Sequence, residues 1–208
     1  MSLFEVKPYD REVYEKELKD FLPQKILDVH THVYLKEFFP PKPLAPGEVK
    51  RTVTWPSLVA ADDSIEDLQE TYRLMLPGKD VTALMFSNSG RSQQANDYVA
   101  DASRRSGFPA LYFSAPEESP EEVERQIRKG GFLGIKGYLS LSPKYIPEAE
   151  IRIFDFFPKA QLKKMDEMGA IVMLHIPRNG RLKDPVNLAQ IMEIKQEFPN
   201  IRLIIAHI

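Results

Sequence analysis

Four histidines are the residues of this sequence best suited to chemistry: His30, His32, His175 and His207. Each stands at or just past the C-terminal end of an apolar run that reads as a β-strand. His30 and His32 lie in Asp28-Val29-His30-Thr31-His32. Residues two apart on a strand face the same side, so both imidazoles can point at one cation. His175 and His207 end two later runs and would converge on the same mouth. A single histidine at a strand end is more commonly a hydrogen-bonded core or loop residue. Four out of four in that position favours a metal centre. The chain has no cysteine, so a thiolate site, a cysteine nucleophile and a disulfide scaffold are all excluded. Any metal must be held by nitrogen and oxygen. Ligand type points to Zn2+, with Mn2+ as the alternative where carboxylate and water dominate the shell.

The strands that must position these residues are the apolar runs at 25–30, 81–86, 110–114, 132–138, 170–175 and 201–207. Near-continuous apolar runs suit strands buried on both faces, as in a parallel sheet. Helices fit between them. Ser64 caps a stretch in which Ile65, Leu68, Tyr72 and Met75 keep a helical spacing. Ser92 opens another with Ala95, Val99 and Ala102, closed by Gly107. Ser119-Pro120-Glu121-Glu122 combines an N-cap, a first-turn proline and a capping-box glutamate, and that helix is expected to stop at Gly130. Pro158 to Gly169 and Asp184-Pro185 to about Phe198 supply two more. Residues 10–21 form an amphipathic helix ahead of the first strand, with Tyr14, Leu18 and Phe21 on one side.

Strand–helix alternation predicts a parallel sheet with right-handed crossovers. A doubly wound open sheet and a (β/α)8 barrel compete, and a barrel needs eight strands and typically about 250 residues. The 208 residues offer six strands and stop on the last, at Ala206-His207-Ile208. The expected fold is therefore α/β, a TIM (β/α)8 barrel with strands 1–6 present and 7–8 missing. Residues 1–24 form an N-terminal helical extension and 25–208 the barrel. Two long loops, 33–63 with Pro40-Pro41-Lys42-Pro43 and Pro46-Gly47, and 139–157, fall on the C-terminal side of their strands. Loops this long are expected to be lids or partly disordered.

Other side chains could line that side. Lysine inside an apolar strand is expensive unless its ammonium escapes, is paired or is modified, so Lys136 stands out. Its plain reading is a head group that reaches the mouth and binds a substrate anion. Arg178 could clamp a substrate carboxylate or remain a solvated loop residue. Tyr138, Ser87 and Asn88 end the fourth and second strands and could line the pocket. Arg51 and Trp55 could close over substrate from the first long loop. Asp28 is expected to orient the first-strand histidines rather than bind metal.

His-Thr-His after a buried first strand, Leu174-His175-Ile176-Pro177 and Ile204-Ile205-Ala206-His207-Ile208 resemble the amidohydrolase superfamily. More narrowly, they resemble the amidohydrolase-related group of metal-dependent hydrolases and decarboxylases. Gly130-Gly131-Phe132-Leu133-Gly134-Ile135-Lys136 also looks like that group's fourth strand, and the resemblance runs from about Lys25 onward. It implies His30, His32 and His175 as metal ligands. It implies His207 as a ligand in two-metal members and a catalytic residue beside the metal in one-metal members. In two-metal members a fourth-strand lysine is carboxylated, which would make Lys136 a bridge. The family's further essential aspartate follows an eighth strand, so these residues alone are expected to be impaired.

The implied function is a metal-dependent hydrolase that uses an activated water on a small ester, lactone or amide. A metal-dependent, non-oxidative decarboxylase is the first alternative and a degenerate, non-catalytic barrel the second. Composition narrows the partners. Lys and Arg total 28 against 30 Asp and Glu, a net charge of −2, which lacks the positive field of a nucleic-acid binder. No apolar run approaches the roughly 18 residues of a membrane helix. The first 25 residues carry charges throughout and do not read as a signal peptide. The expected partner is a small-molecule substrate in a cytoplasmic setting, without nucleic acid or membrane, and with homo-oligomer formation left open.

Overall fold

The computed structural model describes residues 4–39, 62–88 and 92–206. The chain enters through a short helix, α1 (Pro8–Val13), which widens into a π-turn over Tyr14–Leu18. Tyr14 is buried and its hydroxyl donates to the carbonyl of Pro77 at 2.6 Å. Lys79 donates to the carbonyls of Lys19 and Leu22, fastening the same segment. Phe21 departs from its expected place beside Tyr14 and Leu18: it is 81% exposed. The wider turn shifts the helical phase, and Phe21 lies in the turn beyond the helix end.

Among the described residues, six strands and five helices then alternate. They are β1 (Lys25–His32), α2 (Ile65–Met75), β2 (Asp80–Phe86), α3 (Gln93–Ser106), β3 (Tyr112–Phe113) and α4 (Pro120–Gly130). The second half holds β4 (Gly134–Lys136), α5 (Lys159–Met168), β5 (Ile171–His175), α6 (Pro185–Glu197) and β6 (Arg202–Ala206). All paired strands are parallel. β1 pairs with β2, and β3, β4, β5 and β6 pair in that order. A parallel bridge between Met85 and Ala110 joins the two groups. Strands taken strictly in chain order form the wall of a (β/α)8-type barrel. A doubly wound sheet would reverse its order part way.

Alternation along the strands sorts the core into two layers. Ala83, Met85, Ile135, Val172 and Leu174 face the helices and meet Val99, Val123, Ile127, Leu162 and Ile194. Leu84, Phe86, Leu111, Met173 and Ala206 form a second cluster on the other face of the strands. β3 and β4 are shorter than their apolar runs. Ala110 contributes only the bridge to Met85, and Leu133 is half exposed.

Helix starts follow their caps. Ser64, Ser92 and Ser119 accept from the backbone N–H three residues on, and Asp184 accepts from Val186 and Asn187. Two details differ from expectation. Glu122 does not return to the backbone of Ser119; its carboxylate is drawn to Arg125 and Gln126, one turn along the helix. Gly130 stays helical, and Gly131 is the residue that adopts the left-handed conformation, at φ +71°.

The 139–157 segment is neither an open lid nor disordered. Three short 3₁₀ turns, Leu139–Leu141, Glu148–Glu150 and Ile153–Asp155, fold it down. Ile151, Ile153, Phe156 and Phe157 are fully buried, so apolar burial holds the loop closed. The neck of the first long loop is closed by Tyr34 and Asp63, which exchange backbone hydrogen bonds of 2.8 and 3.0 Å. Residues 40–61, with the proline cluster, Arg51 and Trp55, lie outside the described residues, as does His207. Among the described residues no helix is long and apolar enough to cross a membrane.

Candidate metal centre

β1 carries the first two histidines on an irregular stretch. Its register with β2 shifts between Asp28, opposite Ala83, and Thr31, opposite Met85. Simple alternation would put Asp28, His30 and His32 on one face. The bulge instead turns Asp28 toward α2, where it accepts from the Tyr72 hydroxyl at 2.9 Å. The other carboxylate oxygen accepts from the backbone N–H of His30 at 3.1 Å. Tyr72 spends its one proton on Asp28, so Thr31 Oγ1, 3.3 Å away, is the donor of that contact. Burial of Tyr72 and its bond to Asp28 hold its phenol above the usual range, so it remains a donor. Asp28 and Tyr72 together pin the bulge.

The bulge leaves His30 and His32 side by side, with ring centroids 5.5 Å apart. Phe86, at the end of β2, packs against both at 5.1 and 4.6 Å. His32 Nδ1 donates to the carbonyl of Ser87 at 2.8 Å. A carbonyl can only accept, so this bond fixes the tautomer and puts the His32 lone pair on Nε2. Such a backbone anchor is how metal-ligating histidines are commonly oriented. Two adjacent imidazoles, one of them anchored in this way, are ligand types that suit a divalent transition metal.

His175, at the end of β5, is buried and packs edge-on against Tyr138 at 4.4 Å. Burial pushes the Tyr138 hydroxyl up, keeping it protonated. Among the described residues no three histidine, aspartate or glutamate side chains are gathered closely enough to hold a metal ion. The structure therefore brings His30 and His32 together and sets His175 against Tyr138, while His207 lies outside the described residues.

Lys136 ends β4 opposite Met173 of β5. It is 1% exposed, and its Nζ lies 5.4 Å from the centre of the Phe86 ring. Burial pushes its pKa down to about 7. Asn88 is half-buried just beyond Ser87. Arg178 donates to Asp184 at 3.0 Å, and Asp184 in turn caps α6. Asp184→Ala removes the cap and the partner of Arg178 together, and should cost about 1–2 kcal/mol. Urea denaturation of the variant measures this directly.

Two participants, Phe86 and Tyr72, escaped sequence reading. Phe86 looked like one more strand residue, yet it is the wall shared by His30, His32 and Lys136. Ser87, expected among the pocket-lining residues, meets His32 through its carbonyl, which carries no side-chain signal. Tyr72 fitted the apolar stripe of its helix, and only its hydroxyl, placed opposite an acidic strand residue, hinted at more.

Parallel strands paired in chain order define a protein of the (β/α)8-barrel class. The chain belongs to the amidohydrolase family, which it matches over residues 27–208. Among solved structures it is similar to a dihydroorotase from Campylobacter jejuni, at 20% identity and a TM-score of 0.40, covering 61% of this chain and 39% of that one. It is also similar to an uncharacterised TIM-barrel protein from Bordetella bronchiseptica, at 12% identity and a TM-score of 0.47, covering 86% and 65%. The chain thus spans less than two thirds of the length of either. No curated protein matches it.

Proposed function

We propose that the protein is a metal-dependent hydrolase of a small ester, lactone or amide, with His30, His32 and His175 as the residues that hold the metal. The observation that carries this reading is the His30–His32 pair, with the His32 tautomer fixed by the Ser87 carbonyl at 2.8 Å. A divalent ion, Zn2+ by ligand type, would supply Lewis acidity to a carbonyl and lower the pKa of water. The chain's own residues do the rest. Asp28 and Tyr72 keep the bulge that presents both imidazoles, and Phe86 shields them from bulk water. Tyr138 steadies His175 and, with Asn88, lines the substrate side. His207 would be the proton-transferring residue, because a near-neutral imidazole can both take and return a proton.

The metal-to-chain ratio of the purified protein, by elemental mass spectrometry, is the first test. One metal per chain is expected, with loss of at least about 100-fold in affinity for His32→Ala, since even an orienting partner costs 10–100-fold. Turnover of a lactone or ester panel should follow the bound metal. Failure to retain any metal after reconstitution overturns the reading. Release of CO2 from a carboxylated substrate, without ester or lactone opening, would replace hydrolysis by decarboxylation on the same residues.

A further inference from the structure

Lys136 carries a buried amine for which the described residues supply no polar counterpart. It is 1% exposed, and its Nζ has no hydrogen-bond partner among the described residues. The lysines Lys159 and Lys164, by contrast, are more exposed and paired with glutamates. Among the described residues, its Nζ lies 5.4 Å from the centre of the Phe86 ring. A ring face recovers only part of what an ammonium loses on leaving water. A buried ammonium is ordinarily paired, so among the described residues the Nζ position is open to a partner of opposite sign.

Position says what that partner could be. The Phe86 ring beside Nζ also packs against His30 and His32. The residues around it, Leu84, Leu111 and Met173, are apolar, and Met173 is the register partner of Lys136. An acceptor seated at Nζ would therefore attach to a body of apolar or aromatic character. An ammonium is a compact point charge with three donors, suited to one end of a carboxylate.

We propose that Lys136 anchors the carboxylate of an apolar or aromatic carboxylate substrate, seated beside Phe86 and next to the His30–His32 pair. The inference rests on the hydrolase reading for what happens to that substrate. The anion site itself needs no metal. The substrate class narrows to esters, lactones or amides that carry a free carboxylate.

Binding of benzoate, with benzamide as its neutral counterpart, tests this by calorimetry on the metal-stripped protein, where a carboxylate has no metal to ligate. Benzoate is expected to bind at least tenfold more tightly than benzamide. Lys136→Met should erase that preference and Lys136→Arg should keep part of it. Benzoate should also slow acylation of Lys136 by acetic anhydride, read by peptide mass, which serves if the methionine variant fails to fold. Equal benzoate affinity in wild type and Lys136→Met overturns the proposal. So does a carbamate formed on Nζ from 13C-bicarbonate, because the side chain would then be an anion. Phosphate that binds as tightly as benzoate would show a site for inorganic anions and overturn the substrate assignment. A benzoate preference in a protein that never retains metal would sink the hydrolase reading and leave the anion site standing. Metal binding with no benzoate preference would do the reverse.

Discussion

Lys136→Met should stabilise the protein at pH 7 by on the order of 4 kcal/mol, in buffer free of organic anions. The reason is the mismatch between a buried amine and the exposed lysine of the unfolded chain. Burial lowers the folded-state pKa from 10.5 to about 7. Between those values the unfolded chain binds the proton and the folded chain does not, so wild-type stability rises with pH across that window. Below about pH 7 both states are protonated, and the full desolvation cost is felt. Methionine has nearly the same length and no charge, so the variant should lose most of the rise between pH 7 and 10. In a chain of this size the pH 7 gain corresponds to about 10 °C in Tm. Parallel thermal melts at pH 7 and pH 10 check it. A wild type whose stability is flat over that interval would mean that the amine has a partner in solution.

Gly134→Ala should cost about 3 kcal/mol, the upper end of what overpacking does. Gly134 opens β4 at φ +158° and lies opposite Ile171. A Cβ built there would collide with the carbonyl oxygen of Ile171, which is backbone and cannot swing aside. β4 and β5 would have to separate at the place where their ladder begins. Lys136 and His175 ride on those two strands, so the variant should also weaken metal retention if His175 is a ligand. Denaturant midpoints give the first effect and elemental analysis the second. An alanine variant of wild-type stability would show that the two strands can part without cost.

How much could be read beforehand depended on how local the cause was. The six strands and their order were legible, because long apolar runs and helix caps are written in adjacent residues. Ser64, Ser92, Ser119 and Asp184 each do what their type predicts within four positions. Features set by distant partners were not legible. The bulge after Asp28 exists because Tyr72, 44 positions away, takes its carboxylate. Arg178 read equally as a carboxylate clamp or a solvated loop residue, and its ion pair with Asp184 forms only after the chain turns. Segment 139–157 looked like a lid because its prolines are conspicuous, while the burial of Ile153 and Phe157 is a tertiary event. The gathering of His30 with His32 was legible from their spacing. The role of Phe86 between them and Lys136 was not, since nothing in the sequence sets that ring apart.

The chain-order pairing of the strands has a consequence for how the protein is made. Each of β4, β5 and β6 bonds to the strand completed just before it, across a few tens of residues. A chain leaving the ribosome can add one unit at a time to an edge already in place, without waiting for a distant segment. The functional groups then arrive in sequence: the histidine pair first, Lys136 next and His175 after it. If His30, His32 and His175 hold the metal as proposed, the nascent chain carries two of the three ligands for part of synthesis before the last one exists. Cellular metal availability would then act on the protein while it is still growing.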